Sequence, residues 1–182
     1  MKQIRHNVFE TNSSSTHSIA VPRKYVNYDG RSIHFRLDEF GWANTQANPA
    51  DYLYTAIFEQ HDYKQDFLDQ LVDILKRHNI DYTMEEPVLN KYGSLENGYV
   101  DHGGELYDFI NDLLASDDRT LRFIFDGLVF TGNDNSYSQF TNRTEEYYEE
   151  HDFSDGKCVT HKEKNPYYMP NWQDYEWHYK GN

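Results

Sequence analysis

Residues 7–21, NVFETNSSSTHSIAV, place a run of hydroxyl and amide side chains between two apolar segments. The apolar segments, Ile4 to Phe9 and Ser18 to Val21, predict two short strands, and Pro22 is expected to end the second one. Further along, Ser32 to Leu37 alternates between apolar and polar residues as a half-buried strand does. The start of the chain therefore predicts a small β-meander with a polar loop between its first two strands.

The middle of the chain carries helix signals. Asn48-Pro49 combines a capping residue with a proline suited to a first turn, and predicts a helix that ends near Gln60. Apolar residues at helical spacing predict a second helix from about Asp62 to Arg77 and a third from about Glu105 to Ala115. Between these two helices, Ile80 to Met84 is expected to form a strand.

A hairpin and an aromatic tail are predicted after the third helix. Asp126-Gly127 separates two apolar runs in LRFIFDGLVF, residues 121–130, and this pattern predicts a β-hairpin. From about Tyr137 the chain is rich in aromatic and acidic residues. Together the elements predict one α+β domain with a small mixed or antiparallel sheet, two or three packed helices and an aromatic-rich C-terminal arm.

Charge divides the chain into a basic start and an acidic remainder. The net charge is −14, from 17 basic and 31 acidic residues. Residues 1–37 hold six basic and two acidic residues, a net +4, whereas residues 38–182 hold 11 basic and 29 acidic residues, a net −18. The acidic part consists of a body of helices and a hairpin over 38–136 and an aromatic-rich tail over 137–182. It is expected to repel nucleic acid and attract a basic protein. Solubility alone also favours an acidic surface, and that alternative stays open.

Composition bounds the compartment and the chemistry. Aromatic residues make up 16% of the chain, which indicates a folded protein. A single cysteine, Cys158, excludes an internal disulfide and a cysteine-based zinc site. The start MKQIRHNVFE lacks the apolar run of a secretory signal, and no stretch of 18 apolar residues is present. The sequence predicts a cytoplasmic protein with no membrane segment and no cofactor.

The polar loop allows three interpretations. Its side chains can fix a turn by bonding to the local backbone, or its hydroxyl and N–H groups can hold a small anion. Alternatively, a serine and a histidine within residues 11–18 can act on a nucleotide or phosphate substrate. The loop lacks the glycines and lysine of a nucleotide-binding loop and the glycines of a nucleophile elbow, so a structural role without catalysis is favoured. The possible anion-binding residues are Asn12, Ser13, Ser14, Ser15, Thr16 and His17.

A second polar cluster, Asp101, His102 and Glu105, has side chains that can bind a divalent metal. However, Glu105 is expected to open the third helix, where a carboxylate is favourable in the first turn. The glycines between them are typical of a loop before a helix, and no metal site is predicted.

Acidic residues recur at helical spacing on the second and third predicted helices. At 1.5 Å per residue, the first row spreads four charges over about 16 Å, near the 3.4 Å rise per phosphate of a DNA strand. Such rows predict a surface that imitates a nucleic-acid backbone and binds a partner. The alternative is the polar face that every amphipathic helix exposes. The rows are Asp62, Asp66, Asp69 and Asp73, followed by Glu105, Asp108 and Asp112.

Aromatic side chains of the tail are a second predicted partner-binding surface, because tyrosine and tryptophan are enriched at interfaces. The residues are Tyr167, Tyr168, Trp172 and Trp177. The other interpretation is that these rings pack back onto the main sheet as an extended arm.

The stretch RHNVFETNSSSTHSI, residues 5–19, resembles an N-terminal segment shared by small proteins of phages and mobile elements. One group among those proteins consists of anti-CRISPR inhibitors of type II Cas9. The resemblance covers 15 of 182 residues and names no chemistry. It implies a phage-encoded inhibitor without catalytic residues, acting in the host cytoplasm. The partner it implies is Cas9 loaded with guide RNA, a basic nucleic-acid-binding protein, whose DNA binding or cleavage would be blocked.

Overall fold

A computed structural model describes residues 15–41, 45–133, 143–154, 157–165 and 168–180. The predicted strand Ile4–Phe9 lies outside the described residues, as do Asn12 to Ser14 and Tyr167. The strands are β1 Ser15–Pro22, β2 Ser32–Phe35, β3 Glu39–Phe40, β4 Thr45–Ala47, β5 Asp81–Met84, β6 Tyr99–Val100, β7 Leu128–Asn133, β8 Tyr147–Ser154, β9 Lys157–Lys164 and β10 Tyr175–Lys180. The α-helices are α1 Pro49–Phe58, α2 Lys64–Arg77, α3 Tyr107–Leu114 and α4 Asp117–Asp126.

The central sheet has four strands in the order β10-β1-β7-β4, and all of its pairs are antiparallel. Strand β1 is central, with Ile19 opposite Val129 of β7 and Ala20 opposite Trp177 of β10. The α+β class with an antiparallel sheet is therefore confirmed. Among the described residues, no helix is long and apolar enough to cross a bilayer.

The predicted β-meander at the start of the chain is wrong. Strand β1 does not pair with β2, which instead pairs in parallel with β5. The reason lies in burial: Ile19, Ala20 and Val21 are all buried, so both faces of β1 are covered and the strand occupies a central position. Both edges of β1 are paired, one with β7 and the other with β10, so no edge of β1 is left for β2.

Helix α1 begins as predicted. The side chain of Asn48 accepts hydrogen bonds from the backbone N–H groups of Ala50 and Asp51, and Pro49 occupies the first position. The helix lies in the core, with Tyr52, Leu53 and Ile57 buried. Helix α1 contacts α2 and α4 as well as strands β2, β6 and β7.

Helices α2 and α3 lie side by side and run in the same direction. Near their starts, the ring centroids of Tyr63 and Tyr107 are 4.7 Å apart. Beyond their ends, Arg77 reaches Asp117, which begins α4. The apolar stripes that predicted both helices face the core: Phe67, Leu71 and Leu75 of α2 are buried, as are Leu106, Phe109, Ile110, Leu113 and Leu114 at α3.

The predicted hairpin over residues 121–130 is wrong. Residues up to Asp126 form α4, and only the part from Leu128 is a strand. Ser116 caps α4 by accepting a hydrogen bond from the Arg119 N–H. The first turn of α4 carries two acidic residues, whose negative charge is stabilised by the positive end of the helix dipole. Gly127 ends the helix, since an added Cβ would lie 2.4 Å from the Phe123 carbonyl oxygen.

The tail contains a hairpin and the last strand of the sheet. Strands β8 and β9 pair with each other, with Tyr147 opposite Lys164. Strand β10 then returns to pair with β1. The interpretation that the tail packs back onto the main sheet is therefore confirmed for Tyr175–Lys180.

Candidate functional site

The two predicted acidic rows are exposed on the surface. Because the apolar stripes of α2 and α3 face the core, the acids on the opposite sides of these helices point to solvent. We call the seven exposed carboxylates the acidic face: Asp62, Asp66, Asp69, Asp73, Glu105, Asp108 and Asp112. Since α2 and α3 are neighbours that run in the same direction, the two rows lie side by side.

Local helix stability explains only part of the acidic face. Asp66 and Asp108 lie in the first turns of α2 and α3, where the helix dipole stabilises a negative charge. Asp69, Asp73 and Asp112 lie beyond those turns and gain no such stabilisation. Aspartate is also a mediocre helix former. The helix dipole therefore does not explain these three positions, although Asp69 gains an i,i+4 hydrogen bond from Gln65.

Hydrogen bonds within the acidic face are few among those the structure describes. Gln65 Nε2 donates to Asp69 Oδ1 at 2.9 Å, and His102 Nδ1 lies 3.1 Å from Glu105 Oε1. On α4 the situation differs, because Asp117 pairs with Arg77 and Asp118 pairs with Arg122. Asp117 and Asp118 of α4 thus form ion pairs within the protein, and they are not part of the acidic face.

The predicted polar loop is partly a buried strand. Ser15, Thr16 and His17 belong to β1, and His17 has an exposed fraction of 0%. The loop prediction is therefore wrong for these three residues, because β1 begins before Ser18 and takes them into the sheet. Asn12 to Ser14 lie outside the described residues.

Ser15 and His17 form part of a buried hydrogen-bond chain. Ser15 Oγ donates to the Asp101 carbonyl oxygen at 3.3 Å and lies 2.8 Å from His17 Nε2. His17 Nδ1 lies 2.7 Å from the Tyr52 hydroxyl. Because the Ser15 hydroxyl donates its hydrogen to the Asp101 carbonyl, its oxygen can accept a hydrogen bond from His17 Nε2–H. His17 Nδ1 then accepts a hydrogen bond from the Tyr52 hydroxyl. Both ring nitrogens of His17 therefore contact hydroxyl groups inside the protein.

This chain has a serine and a histidine in contact, but its surroundings favour structure over catalysis. Burial raises the pKa of the Tyr52 hydroxyl well above its ordinary value, so the third group is a neutral phenol and not a carboxylate that would stabilise a charged imidazole. Ser15 is 3% exposed and His17 fully buried, which leaves no room for a substrate beside the hydroxyl. An anion-binding role for residues 12–17 stays a prediction, although the burial of Ser15 and His17 does not favour it for these two residues.

The possible metal ligands come together only in part. His102 and Glu105 are in contact, whereas Asp101 is engaged through its backbone, its N–H donating to Phe40 and its carbonyl accepting from Ser15. Within the described part of the chain, no group of three histidine, cysteine or acidic side chains is arranged to hold a metal ion.

The aromatic tail and the acidic face lie on different sides of β10. His178 stacks on Phe109 of α3 with centroids 4.9 Å apart, and side chains alternate along a strand, so Trp177 faces the other way. Trp177 Nε1 donates to the Trp172 carbonyl at 3.0 Å, and both rings are half-buried. Tyr168 is half-buried as well. The two predicted partner-binding surfaces are therefore separate.

Sequence patterns miss a cleft where α1 ends and α2 and α3 begin. It has a volume of about 220 Å³, and its walls include Glu59, His61, Tyr63 and Tyr107. The chain approaches it through two short 3₁₀ segments, His61–Tyr63 and Gly103–Leu106. No motif marks these residues, because they become neighbours only through the packing of three helices.

Comparisons of the chain with models of known families, with curated proteins and with solved structures find no match.

Proposed function

We propose that this chain is a non-catalytic binding protein that presents its acidic face to a basic nucleic-acid-binding protein and blocks DNA binding or cleavage by that partner. The observation that carries the proposal is the position of Asp69, Asp73 and Asp112. These carboxylates are exposed, they lie beyond the helix turns that would stabilise them, and they extend two neighbouring rows.

Electrostatics explains how such a face would act. A net charge of −18 over residues 38–182 attracts a positively charged channel before contact, which speeds association. Aspartates in a rigid helix lose little side-chain freedom on binding, because their side chains are short. The carboxylates would occupy the positions of phosphates and compete with DNA for the same lysine and arginine side chains.

The leading partner is Cas9 loaded with guide RNA, on the basis of the resemblance of residues 5–19 to a segment of phage and mobile-element proteins. Cas9 holds nucleic acid in a positively charged channel, which fits an acidic ligand of this kind. The alternative, an enzyme acting on a nucleotide at residues 11–18, has less support because Ser15 and His17 are buried.

The direct test measures DNA cleavage by guide-loaded Cas9 with increasing amounts of the purified protein. We expect inhibition that weakens as salt rises, since the Debye length falls from about 10 Å at 0.1 M to about 3 Å at 1 M salt. Unchanged cleavage, with no complex detected by gel filtration even at low salt, would refute Cas9 as the partner.

A further inference from the structure

The cleft at the start of α2 and α3 has one aromatic wall. The rings of Tyr63 and Tyr107 meet at 4.7 Å with an angle of 55° between their planes, and Tyr63 is 48% exposed. Aromatic faces attract cations through their quadrupole, most strongly where water is partly excluded. The volume, about 220 Å³, is below the range of about 300–1,000 Å³ of pockets for drug-sized molecules, so it suits a single side chain.

A carboxylate of the cleft occupies a position that is unfavourable for a negative charge. Glu59 is the residue directly after α1, at the negative end of the helix dipole, where a cation is preferred. Burial raises the pKa of Glu59, and nearby His61 opposes that shift. A cation placed in the cleft would compensate both the burial of this carboxylate and the helix end.

The backbone at the cleft is held in unusual conformations. His61, which lines the cleft, has φ 32°, and His102, close to Gly104 on the other wall, has φ 55°. Non-glycine residues at positive φ are strained, and such strain concentrates at functional sites. His61 is the first residue of one 3₁₀ segment at the cleft, and His102 immediately precedes the other.

The cleft also lies where the two acidic rows begin. Asp62 both lines the cleft and starts the row of α2. Gly104 and Tyr107, which also line the cleft, are next in sequence to Glu105 and Asp108 of the α3 row. A partner that covers the acidic face would therefore have a side chain within reach of the cleft.

We infer that this cleft receives the guanidinium group of one arginine of the basic partner, an inference that rests on the proposed function and adds a specific contact to it. Arginine fits better than lysine because its planar group stacks on an aromatic ring and donates two parallel hydrogen bonds to a carboxylate. The tyrosine rings would stack on the plane, and Glu59 and Asp62 would accept its N–H groups.

The test uses a small probe and needs no partner. N-acetyl-L-arginine methylamide is titrated into the ¹⁵N-labelled protein while the amide signals of Tyr63 and Gly104 are followed by NMR. N-acetyl-L-citrulline methylamide, nearly the same shape without the charge, is the matched control ligand. We expect saturable shifts at these amides with the arginine probe and at least tenfold weaker binding of the citrulline probe. Equal affinities, or shifts located elsewhere, would overturn the inference.

Two variants make the assignment specific. Glu59→Gln and Tyr63→Leu are each expected to weaken arginine binding at least tenfold, whereas Glu86→Gln, an exposed acid away from the cleft, leaves it unchanged. The NMR signals of amides outside the cleft report whether each variant is folded. Unchanged arginine binding by a folded variant would contradict the cleft assignment. If arginine does not bind but Cas9 is still inhibited, only the cleft assignment fails. If arginine binds but no basic partner does, the proposed function fails and the cleft remains.

Discussion

Arg77 at the end of α2 donates two hydrogen bonds to Asp117 at the start of α4, from Nε to Oδ2 at 2.8 Å and from Nη2 to Oδ1 at 2.7 Å. His78 Nε2 lies 3.3 Å from the same carboxylate. Each partner occupies the helix end that favours its charge, the cation at a C-terminus and the anion at an N-terminus. The pair joins α2 to α4 through two residues that are 40 positions apart in sequence. It also engages a carboxylate close to the end of the acidic face in an internal ion pair.

Stability at acid pH is expected to depend on this pair. The hydrogen bonds from Arg77 are the main cause that lowers the pKa of Asp117 from its ordinary value of 3.8. A carboxyl with a depressed pKa contributes stability above its unfolded pKa and loses it as the pH falls through its folded pKa. We expect Asp117→Asn to lower stability at pH 7 and to flatten the loss of stability below about pH 4, as measured by urea unfolding between pH 2 and 7. A loss of the same steepness in the variant would contradict this assignment.

His178 is expected to make the C-terminal strand sensitive to mild acid. His178 is exposed, but partial desolvation beside Phe109 lowers its pKa from 6.5, Arg119 adds to the effect, and Asp112 opposes it. The unfolded chain therefore takes up the proton first, and stability falls as the pH decreases below about 6.5. We expect His178→Gln to reduce the difference in melting temperature between pH 7.5 and 5.5. The control is His161→Gln, in the separate hairpin of β8 and β9, which should change that difference less than His178→Gln does.

The acidic face is tested by charge removal at constant size. Changing Asp62, Asp66, Asp69 and Asp73 to asparagine removes four charges from the α2 row, and we expect inhibition of the partner to fall at least tenfold, about 1.4 kcal/mol, without unfolding. The fall reflects lost contacts with lysine and arginine side chains of the partner. The measurement is the inhibitor concentration that halves DNA cleavage.

The matched control changes four exposed acids outside the acidic face, Glu39, Glu86, Glu96 and Glu163, to glutamine. Asp117 and Asp118 are unsuitable for this purpose because their ion pairs stabilise the fold. If the control weakens inhibition as much as the aspartate variant does, net charge alone is responsible and the imitation of a phosphate row is wrong. If neither variant matters, the separate surface around Trp172 and Trp177 is the next to test.

The buried chain from Tyr52 to Ser15 is expected to matter for folding and not for binding. Ser15→Ala removes one hydrogen-bond partner and should cost about 1 kcal/mol. His17→Ala also leaves a cavity and unsatisfied hydroxyls, and should cost about 2–4 kcal/mol. Thermal unfolding measures both costs, and partner binding by the folded variants should be unchanged. Loss of activity with an unchanged melting temperature would instead place these residues in an active site.

Local signals in the sequence were sufficient where the structure depends on neighbouring residues. The cap at Asn48 and the spacing of apolar residues predicted α1 and the buried faces of α2 and α3, because those features act within a few residues. Asp126-Gly127 misled for the opposite reason. These two residues favour a hairpin locally, but the segment before Gly127 is a helix. Ser116 caps that helix, and Leu121, Phe123 and Ile124 are buried in the core.

Contacts between distant residues could not be predicted from the same signals. Nothing near β1 indicates that its partners are β7 and β10, since strand pairing depends on the whole fold. All seven acids of the predicted rows are exposed, but Asp62 and Glu105 lie in 3₁₀ segments before α2 and α3, so the prediction that these two belong to the helices is wrong. The cleft beside the rows was not predicted. Its form depends on positive φ angles at His61 and His102, and histidine does not mark such a conformation in a sequence as glycine does.

The central place of β1 has a consequence for how the protein is made. More than a hundred residues separate Ile19 from Val129, and still more separate Ala20 from Trp177. During synthesis β1 leaves the ribosome early, yet both of its edges stay open until distant parts of the chain arrive. An unpaired apolar strand edge promotes aggregation. A chain that stops before Tyr175 lacks β10, so one edge of β1 stays unpaired, and we expect this chain to aggregate even if every helix has formed. Expression experiments that shorten the C-terminus would therefore change solubility before they inform about binding.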